Sequence, residues 1–223
     1  MAPTALRPRD AATLLLYRGG GDDVRVLLGQ RHHGHIFMPN AYVFPGGRVN
    51  PSDSRVTPDT DLRGDVAARL ERAATPARAR AIAVAAIRET FEETGLLIAA
   101  GEGAGESGGE DGGGEWHHKI APKLGALDYF FRAITPPQRV RRFDARFFCA
   151  DASAAQGELG GDGELQNLAW FSLDEIRDLE MAGITRIALA QFRRVLADPP
   201  SYTSDRPIPV SRFLHGRYHI DME

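Results

Sequence analysis

Short apolar runs alternate with turn residues in the first part of the chain. Residues 11–17 (AATLLLY) and 24–28 (VRVLL) flank a glycine-rich stretch at 19–23, so we predict two strands joined as a hairpin. Residues 41–44 (AYVF) predict a third strand. Proline and two glycines follow at 45–47, which predicts a loop whose backbone bends sharply or approaches a ligand closely.

Two helices are predicted next, the second with clear boundaries. Residues 62–74 are rich in helix formers, and with the turn-rich residues before them they predict a loop and a short surface helix. Thr75 suits an N-cap, Pro76 suits the first turn, and Gly95 suits the C-terminal stop of a longer helix.

The rest of the chain predicts more strands, a last helix and one long insertion. The predicted strands cover residues 124–135, 146–150 and 168–171. Residues 172–175 (SLDE) match a helix capping box, and apolar residues at helical spacing between 184 and 196 predict the last helix. The segment 101–114 has eight glycines in fourteen residues and almost nothing to bury, so we expect a flexible loop. Because strands and helices alternate without a repeat, we predict a single domain over residues 1–223 with an α/β or α+β fold.

Composition excludes several classes of protein. The 223 residues carry a formal charge of −3 with 43% hydrophobic residues, which is ordinary globular composition and lacks the basic excess expected of a nucleic-acid binder. Cys149 is the only cysteine, so an internal disulfide framework and a cysteine-based zinc site are excluded. The longest apolar stretch, 81–87, is far below the roughly 20 residues of a membrane-spanning helix. We therefore expect a cytoplasmic protein with no membrane contact.

The sharpest chemical feature is an acidic stripe near the end of the second helix. At about 100° per residue, Glu89, Glu92 and Glu93 share one face, while Val84 and Ile87 point to the other side. Three carboxylates this close repel one another, which a cation would relieve. Oxygen ligands without cysteine suit Mg²⁺ better than zinc, and Mg²⁺ is commonly completed by substrate phosphates. A solvated acidic helix face is the alternative.

The segments FPGG and RETFEETGL together resemble the signature of the Nudix hydrolases, G-x5-E-x7-R-E-U-x-E-E-x-G-U with U apolar. Thr90 stands at an apolar position of the signature, and Asp53 stands where the first glutamate is expected. Between Asp53 and Arg88 lie 34 residues where the signature has seven, a difference of 27 that predicts an insertion at about 54–79. If Asp53 is not the equivalent, the first acidic position is absent, since Arg80 stands eight residues before Arg88.

This resemblance implies a fold and a chemistry. The fold is the Nudix α/β/α sandwich with a mixed β-sheet, and the reaction is hydrolysis of a nucleoside diphosphate linked to another moiety. Residues 26–31 and 37–47, with the split signature, are similar to the coenzyme A diphosphatase-like branch, typified by a peroxisomal member. Coenzyme A or acyl-coenzyme A is therefore the expected substrate. NADH, ADP-ribose and other nucleotides remain alternatives within the family, and a non-catalytic nucleotide-binding module is the alternative outside catalysis.

The resemblance also assigns roles to individual residues. It makes Glu89, Glu92 and Glu93 ligands of Mg²⁺ or Mn²⁺ and catalytic residues, one of which would activate water. Arg88 would hold a loop or helix carboxylate through a bidentate pair. The expected substrate-binding residues are Arg31, Gly46, Gly47 and Arg142. The expected partner is a small nucleotide-type substrate, with no nucleic acid, and a homodimer is allowed for.

Other polar residues support weaker hypotheses. An arginine cluster near Asp144 could hold an additional phosphate, although a solvated strand edge is the favoured interpretation; its members are Arg139, Arg141, Arg142 and Arg146. Glu164 could act as a base from outside the helix, although an exposed loop carboxylate is favoured. Zinc binding is not favoured for the three histidines His32, His33 and His35, which lack cysteine partners and helical spacing. Core positions are expected for Trp170 and Phe171, and a loop position covering apolar surface for Trp116.

Overall fold

The structure is a computed structural model that describes residues 7–34, 38–100, 120–137, 139–197, 205–214 and 217–223. Within these residues the strands are β1 (Arg9–Arg18), β2 (Arg25–Arg31), β3 (Tyr42–Val43), β4 (Gly46–Arg48), β5 (Ala99–Ala100), β6 (Ala121–Pro122), β7 (Asp128–Ile134), β8 (Phe143–Asp151), β9 (Leu165–Ser172), β10 (Pro209–Leu214) and β11 (Arg217–Met222). The helices are α1 (Gly64–Glu71), α2 (Pro76–Thr94) and α3 (Gly183–Ala197). The predicted loop at 101–114, Trp116 and His35 lie outside the described residues.

Nine of the strands in the described residues form one mixed sheet with the order β11-β10-β7-β8-β1-β2-β3, in which β4 also pairs with β1 and β9 with β2. The central strand β1 runs parallel to β8 along nearly its whole length. On its other side, β1 pairs antiparallel with β4 near its start and with β2 near its end. This arrangement brings β4 beside the middle of the sheet rather than to its edge.

Both faces of the sheet are covered by helices. Along β1, Leu14 and Leu16 belong to the core that contains α1 and α2, whereas Leu15 belongs to the core that contains α3. A strand buried on both faces reads as a continuous apolar run, which is why residues 11–17 have so few polar side chains. The α/β/α sandwich with a mixed sheet is thus confirmed. No helix among the described residues has the length and apolar character needed to cross a membrane.

Several local predictions are confirmed. The hairpin of β1 and β2 turns at residues 19–23. Helix α2 begins after Thr75, whose side chain accepts from the amide of Arg78, and ends at Gly95 with φ of 74°. The amphipathic pattern between 184 and 196 is helix α3.

Four local predictions were wrong or incomplete. Residues 46–47 form strand β4 instead of a loop, because β1 supplies a backbone edge for them. Residues 124–126 form a 3-10 turn, so the following strand begins only at Asp128. The capping box at 172–175 makes its reciprocal hydrogen bonds but opens only a 3-10 turn. Strands β10 and β11 were not predicted.

The prediction that residues 62–74 form a surface helix was wrong, because one face of helix α1 is buried. Val66 and Leu70 are buried in the core beside α2. The buried guanidinium of Arg69 donates to Asp65 at 2.6 Å and to Asp128 at 2.8 Å, which ties the helix to β7. Burial of a charged side chain requires such pairing, so the inserted segment is an integral part of the sandwich.

Candidate active site

The acidic residues lie on the last turns of α2. The helix ends at Gly95, whose amide donates to the carbonyl of Phe91. Glu89, Glu92 and Glu93 therefore stand near the negative end of the helix dipole, where further negative charge is unfavourable. A bound cation would therefore stabilise this end of the helix.

The opposite side of α2 fixes the helix against the core. Val84 and Ile87 are fully buried there, as the periodicity predicts. Thr90, which stands at an apolar position of the signature, is also buried, and its hydroxyl donates to the carbonyl of Ala86 at 2.7 Å. Because its polar atom is satisfied within the helix, threonine fits an apolar environment here.

Strand β4 lies across the acidic face of α2, and each of its three residues meets one helix side chain. The amide of Gly46 donates to Oε2 of Glu93 at 2.9 Å. The carbonyl of Arg48 accepts from Nη2 of Arg88 at 3.0 Å. Between them, a Cβ atom on Gly47 would overlap the carboxylate of Glu89. Gly47 is therefore needed for the close approach of β4 to α2, whereas a Cβ on Gly46 would meet Ala12 and Thr13 of β1.

Arg88 and Asp53 form a buried bidentate ion pair. Nε of Arg88 lies 2.8 Å from Oδ1 of Asp53, and Nη2 lies 3.1 Å from Oδ2. Asp53 also accepts from the amide of Asn50 at 2.7 Å, which closes a 3-10 turn over residues Pro51–Arg55. The structure thus brings Asp53 into the site despite the 34 intervening residues, and Arg88 has the carboxylate partner that its expected role requires.

The same guanidinium also contacts the acidic stripe. Nη1 of Arg88 donates to Glu89 at 2.8 Å and to Glu92 at 2.9 Å. Burial opposes the positive charge, but Asp53, Glu89 and Glu92 together raise the pKa of Arg88 above its ordinary value. The guanidinium of Arg88 therefore compensates the charge of three carboxylates, those of Asp53, Glu89 and Glu92. Glu93 accepts from the amide of Gly46 instead.

The glutamates carry negative charge that the protein does not fully compensate. Burial raises the pKa of Glu89 to about 7 despite the neighbouring Arg88. The pKa of Glu92 is also raised by burial. Burial raises the pKa of Glu93 well above its ordinary value, the Gly46 amide opposes this, and Glu89 adds to it. Raised carboxyl pKa values in a cleft are typical of a functional site.

The donor set fits a hard divalent cation. Among the described residues no three acidic, histidine or cysteine side chains already converge on one point, since Arg88 holds Glu89 and Glu92 while Glu93 faces Gly46. The available donors are nevertheless carboxylate oxygens in a buried, negatively charged place, which suits Mg²⁺ or Mn²⁺. Glu89, Glu92 and Glu93 are the residues that could hold such an ion.

A small cleft opens beside Glu93. It has a volume of about 40 Å³, room for an ion with a few water ligands but not for a nucleotide. Its lining residues are Arg31, Val43, Phe44, Gly46, Glu93, Glu164 and Leu165. Burial lowers the pKa of Arg31, while Glu93 and Glu164 oppose this shift. The cleft thus combines one cationic and two acidic side chains.

Sequence reasoning missed the segment that carries Glu164 to the cleft. The amide of Gly160 donates to the carbonyl of Thr94, and the amide of Asp162 donates to that of Glu92, both at 2.9 Å. These bonds satisfy carbonyls at the end of α2. The closely spaced glycines at 157–163 were the available signal. Glu164 itself is exposed, as predicted, yet it lines the cleft.

The arginine cluster is divided between exposed residues ahead of β8, namely Arg139 and Arg141, and a buried one within the strand, Arg146. Strand β8 lies between β7 and β1, so it is interior to the sheet. Arg146 is fully buried and pairs with Asp10 at 2.8 Å and with Asp144 at 3.1 Å. That interpretation was therefore wrong for Arg146, because interior arginine requires acidic partners, and both are present.

Arg142 lies apart from the acidic face. Its Nε donates to the carbonyl of Thr135 at 3.2 Å. The carbonyl of Arg142 accepts from the amide of Arg9 on β1. Arg9 lies four residues before Thr13, which is the β1 residue that pairs with Gly46. At about 3.3 Å per residue this is roughly 13 Å, so Arg142 can meet only an extended substrate.

The remaining candidates have structural surroundings. Trp170 packs against the core, with the Arg18 guanidinium 4.6 Å from its ring centroid. Phe171 packs against the core around α3. The rings of His32 and His33 lie 4.0 Å apart.

Comparison with known proteins gives consistent similarities. No family model matches the chain. The chain is 28% identical over 212 residues to the acyl-coenzyme A diphosphatase NUDT19 of Gallus gallus, covering 66% of this chain and 56% of that protein. It is 24% identical over 204 residues to the NUDT19 of Xenopus laevis, covering 69% and 54%. The chain therefore spans about half the length of these curated relatives.

Solved structures share the fold. A Nudix hydrolase from Alicyclobacillus acidocaldarius matches with a TM-score of 0.63 and 28% identity, over 87% of this chain and 97% of that one. A MutT protein from Bacillus halodurans matches with a TM-score of 0.50 and 16% identity, over 96% and 97%, which shows likeness of fold alone. The chain is thus similar to Nudix hydrolases in fold and to acyl-coenzyme A diphosphatases in sequence.

Proposed function

We propose that the protein is a metal-dependent diphosphatase that hydrolyses the pyrophosphate of coenzyme A or acyl-coenzyme A. The observation that carries this proposal is the arrangement of Glu89, Glu92 and Glu93 on one partly buried helix face beside Gly46 and Gly47. A nucleotide-binding module without chemistry has no need for three mutually repelling carboxylates. The names of the two NUDT19 relatives support the choice of substrate.

The three glutamates would hold Mg²⁺ or Mn²⁺. When bound, the ion would lower the pKa of a coordinated water and neutralise charge on the departing phosphate. Arg88, anchored by Asp53 and by the carbonyl of Arg48, keeps the last turns of α2 fixed against β4. This anchoring holds Glu93 at Gly46 and Glu89 at Gly47, so the two carboxylates are oriented before substrate binds.

Hydrolysis requires a water oxygen to bond to one phosphorus while the bridging P–O bond breaks. The water proton passes to a carboxylate at the site, and the leaving phosphate departs as an anion. Glu93 and Glu164 both line the cleft and can accept a proton there. Arg31 at the same cleft supplies positive charge toward a phosphate oxygen. Coenzyme A would yield adenosine 3′,5′-bisphosphate and 4′-phosphopantetheine.

The test is a substrate panel with identification of products by mass spectrometry. The purified chain is incubated with Mg²⁺ or Mn²⁺ and with coenzyme A, acetyl-coenzyme A, NADH or ADP-ribose. The Glu93→Gln variant removes one carboxylate charge from the site, and Glu71→Gln, at the exposed end of α1, is the matched control. We expect adenosine 3′,5′-bisphosphate from coenzyme A with the wild type and the control, and a loss of at least about 100-fold with Glu93→Gln.

Each other outcome has a defined meaning. Cleavage of NADH or ADP-ribose without cleavage of coenzyme A would retain the chemistry and reject the substrate. Nucleotide binding without any turnover would support a non-catalytic module. Equal turnover by the wild type and a folded Glu93→Gln variant would contradict the role of Glu93.

A further inference from the structure

The C-terminal strand β11 is a fully exposed edge of the large sheet. Its inner side pairs with β10 over residues Arg217–Met222, and no strand in the described part of the chain pairs with its outer side. All six residues are exposed, including three large apolar side chains. These are Tyr218, Ile220 and Met222, which are 59%, 47% and 60% exposed. Long exposed apolar edges are uncommon because they attract further strands.

The hydrogen-bond pattern shows which backbone groups face outward. Ile208 and Glu223 exchange both of their amide-to-carbonyl bonds at 2.9 Å. Bonded and non-bonded pairs alternate along an antiparallel ladder, so His219 and Asp221 also direct their backbone groups toward β10. Tyr218 and Ile220 then direct theirs toward the free edge. That edge therefore offers unpaired donors and acceptors at every second residue.

The charges along β11 are arranged with opposite signs about Ile220. Arg217 and His219 precede it, and Asp221 and Glu223 follow it. An antiparallel copy of the same strand centred on Ile220 would place His219 opposite Asp221. It would also place Arg217 opposite Glu223, and Tyr218 opposite Met222. The strand is thus complementary to itself in both charge and apolar character.

We propose that β11 pairs antiparallel with β11 of a second copy of this chain, about a two-fold axis at Ile220. The two sheets then continue across the interface. In this register Ile220 lies in a bonded pair, and His219 and Asp221 lie in the non-bonded pairs, where Cα atoms approach to about 4.5 Å and side chains are closest. A two-fold contact of this kind closes on itself and yields a dimer rather than a fibre.

Two neighbouring registers also keep the outward backbone groups paired, but they match less completely. One places Arg217 opposite Asp221 and brings His219 opposite His219. The other places His219 opposite Glu223 and brings Asp221 opposite Asp221. In the register centred on Ile220 no ionisable side chain faces its own kind, so the proposal uses this register.

The edge is held in place before a partner arrives. The carboxylate of Glu223 accepts from Arg132 at 2.7 Å and from Arg212 at 3.1 Å. The ring of Phe213 on β10 lies edge-on to Tyr218, with centroids 5.1 Å apart. These contacts lower the cost of ordering the strand on association. The proposed interface lies at the end of the sheet remote from β2, which carries Arg31, so it leaves the cleft open.

Sedimentation velocity of the purified chain over a range of concentrations tests the proposal. The first variant is Ile220→Pro, which removes an outward amide and no bond to β10. We expect the wild type to be a dimer and the variant to dissociate with a dissociation constant raised roughly tenfold or more. Equal thermal unfolding of the two proteins under dissociating conditions, by circular dichroism, shows that β11 still folds onto β10.

A charge exchange tests the register independently. His219→Glu places glutamate opposite Asp221 and should weaken the dimer, and Asp221→Lys should weaken it as well. The double variant restores opposite charges in both pairs and should recover wild-type association. A monomeric wild type at about 100 μM, a dimer unaffected by Ile220→Pro, or a folded double variant as weak as the single variants would each overturn the proposal.

Discussion

Removal of the Asp53 carboxylate should be far more damaging than removal of a similar carboxylate on the surface. Asp53 and Arg88 are buried, with side chains 0% and 3% exposed. Asp61 and Arg80 form an ion pair of the same bidentate geometry, but their side chains are 53% and 43% exposed. The variants Asp53→Ala and Asp61→Ala therefore compare one interaction in two environments.

The expected magnitudes differ several-fold. Loss of one partner from a buried ion pair costs about 3–5 kcal/mol, because the other charge is left without compensation. Arg88 retains Glu89 and Glu92, so we expect the lower end, about 3 kcal/mol. An exposed pair contributes about 0.2–1 kcal/mol. At about 2–4 °C per kcal/mol for a chain of this size, Asp53→Ala should lower Tm by roughly 6–12 °C.

Urea unfolding followed by circular dichroism measures these changes. Asp53→Asn preserves the shape of the side chain and should lie between wild type and Asp53→Ala, since it can still accept a hydrogen bond. Unchanged m-values would confirm that the midpoint reports stability. Two results would refute this reasoning: a loss of unfolding free energy below about 1 kcal/mol for Asp53→Ala, or a loss no larger than that of Asp61→Ala. Either result would mean that the buried pair does not stabilise the contact between the 3-10 turn at Asp53 and α2.

Three further predictions follow from the site and the core. Gly46→Ala would bring a Cβ atom to 2.5 Å from the Ala12 carbonyl oxygen, at a residue whose φ is 155°. We expect this variant to lower the free energy of unfolding, measured by urea titration, by about 1–3 kcal/mol. In the control Gly64→Ala the added Cβ meets open space, so no loss of stability is expected in the same assay. Because the Glu89 pKa is raised to about 7, its contribution to stability is full below its ordinary value of 4.5 and is lost as the pH rises through 7. The gain in Tm from added Mg²⁺ should therefore grow between pH 5 and pH 8 in a thermal-shift assay, and a pH-independent gain would contradict this. Burial raises the pKa of the Cys149 thiol, so the folded chain should not react with a thiol reagent such as Ellman's reagent at pH 8 until denaturant is added.

Local signals were sufficient to predict α2 and its acidic face. Thr75, Pro76 and Gly95 act within one or two turns of themselves, so their effect on the helix ends is readable without the rest of the fold. The positions of Glu89 and Glu93 on one face follow from the helical period alone. What periodicity leaves open is whether that face is solvated, and here strand β4 covers it.

Features that depend on distant parts of the chain were predicted less well. Arg88 was expected to hold some carboxylate, but only the folded chain shows that Asp53 is that partner. Two glycines predict a loop, yet strand β1 pairs with them. Arg146 looked solvent-exposed because its partner Asp10 lies on strand β1, 136 residues away in the sequence. Strand β11 has the alternation of a strand, but its exposed charges obscured it.

The buried Asp53–Arg88 pair joins in space the two segments that resemble the halves of the Nudix signature, although 34 residues separate them in the sequence. Lengthening the connection from seven residues to 34 adds about 1.4 kcal/mol of loop-closure entropy, less than the roughly 3 kcal/mol expected for removing one partner of the pair. The length and content of this connection can therefore differ while the contact between Asp53 and Arg88 stays the same. A sequence pattern that fixes this spacing at seven residues does not match the chain, whereas the buried arginine–carboxylate pair beside the acidic helix face does not depend on the spacing.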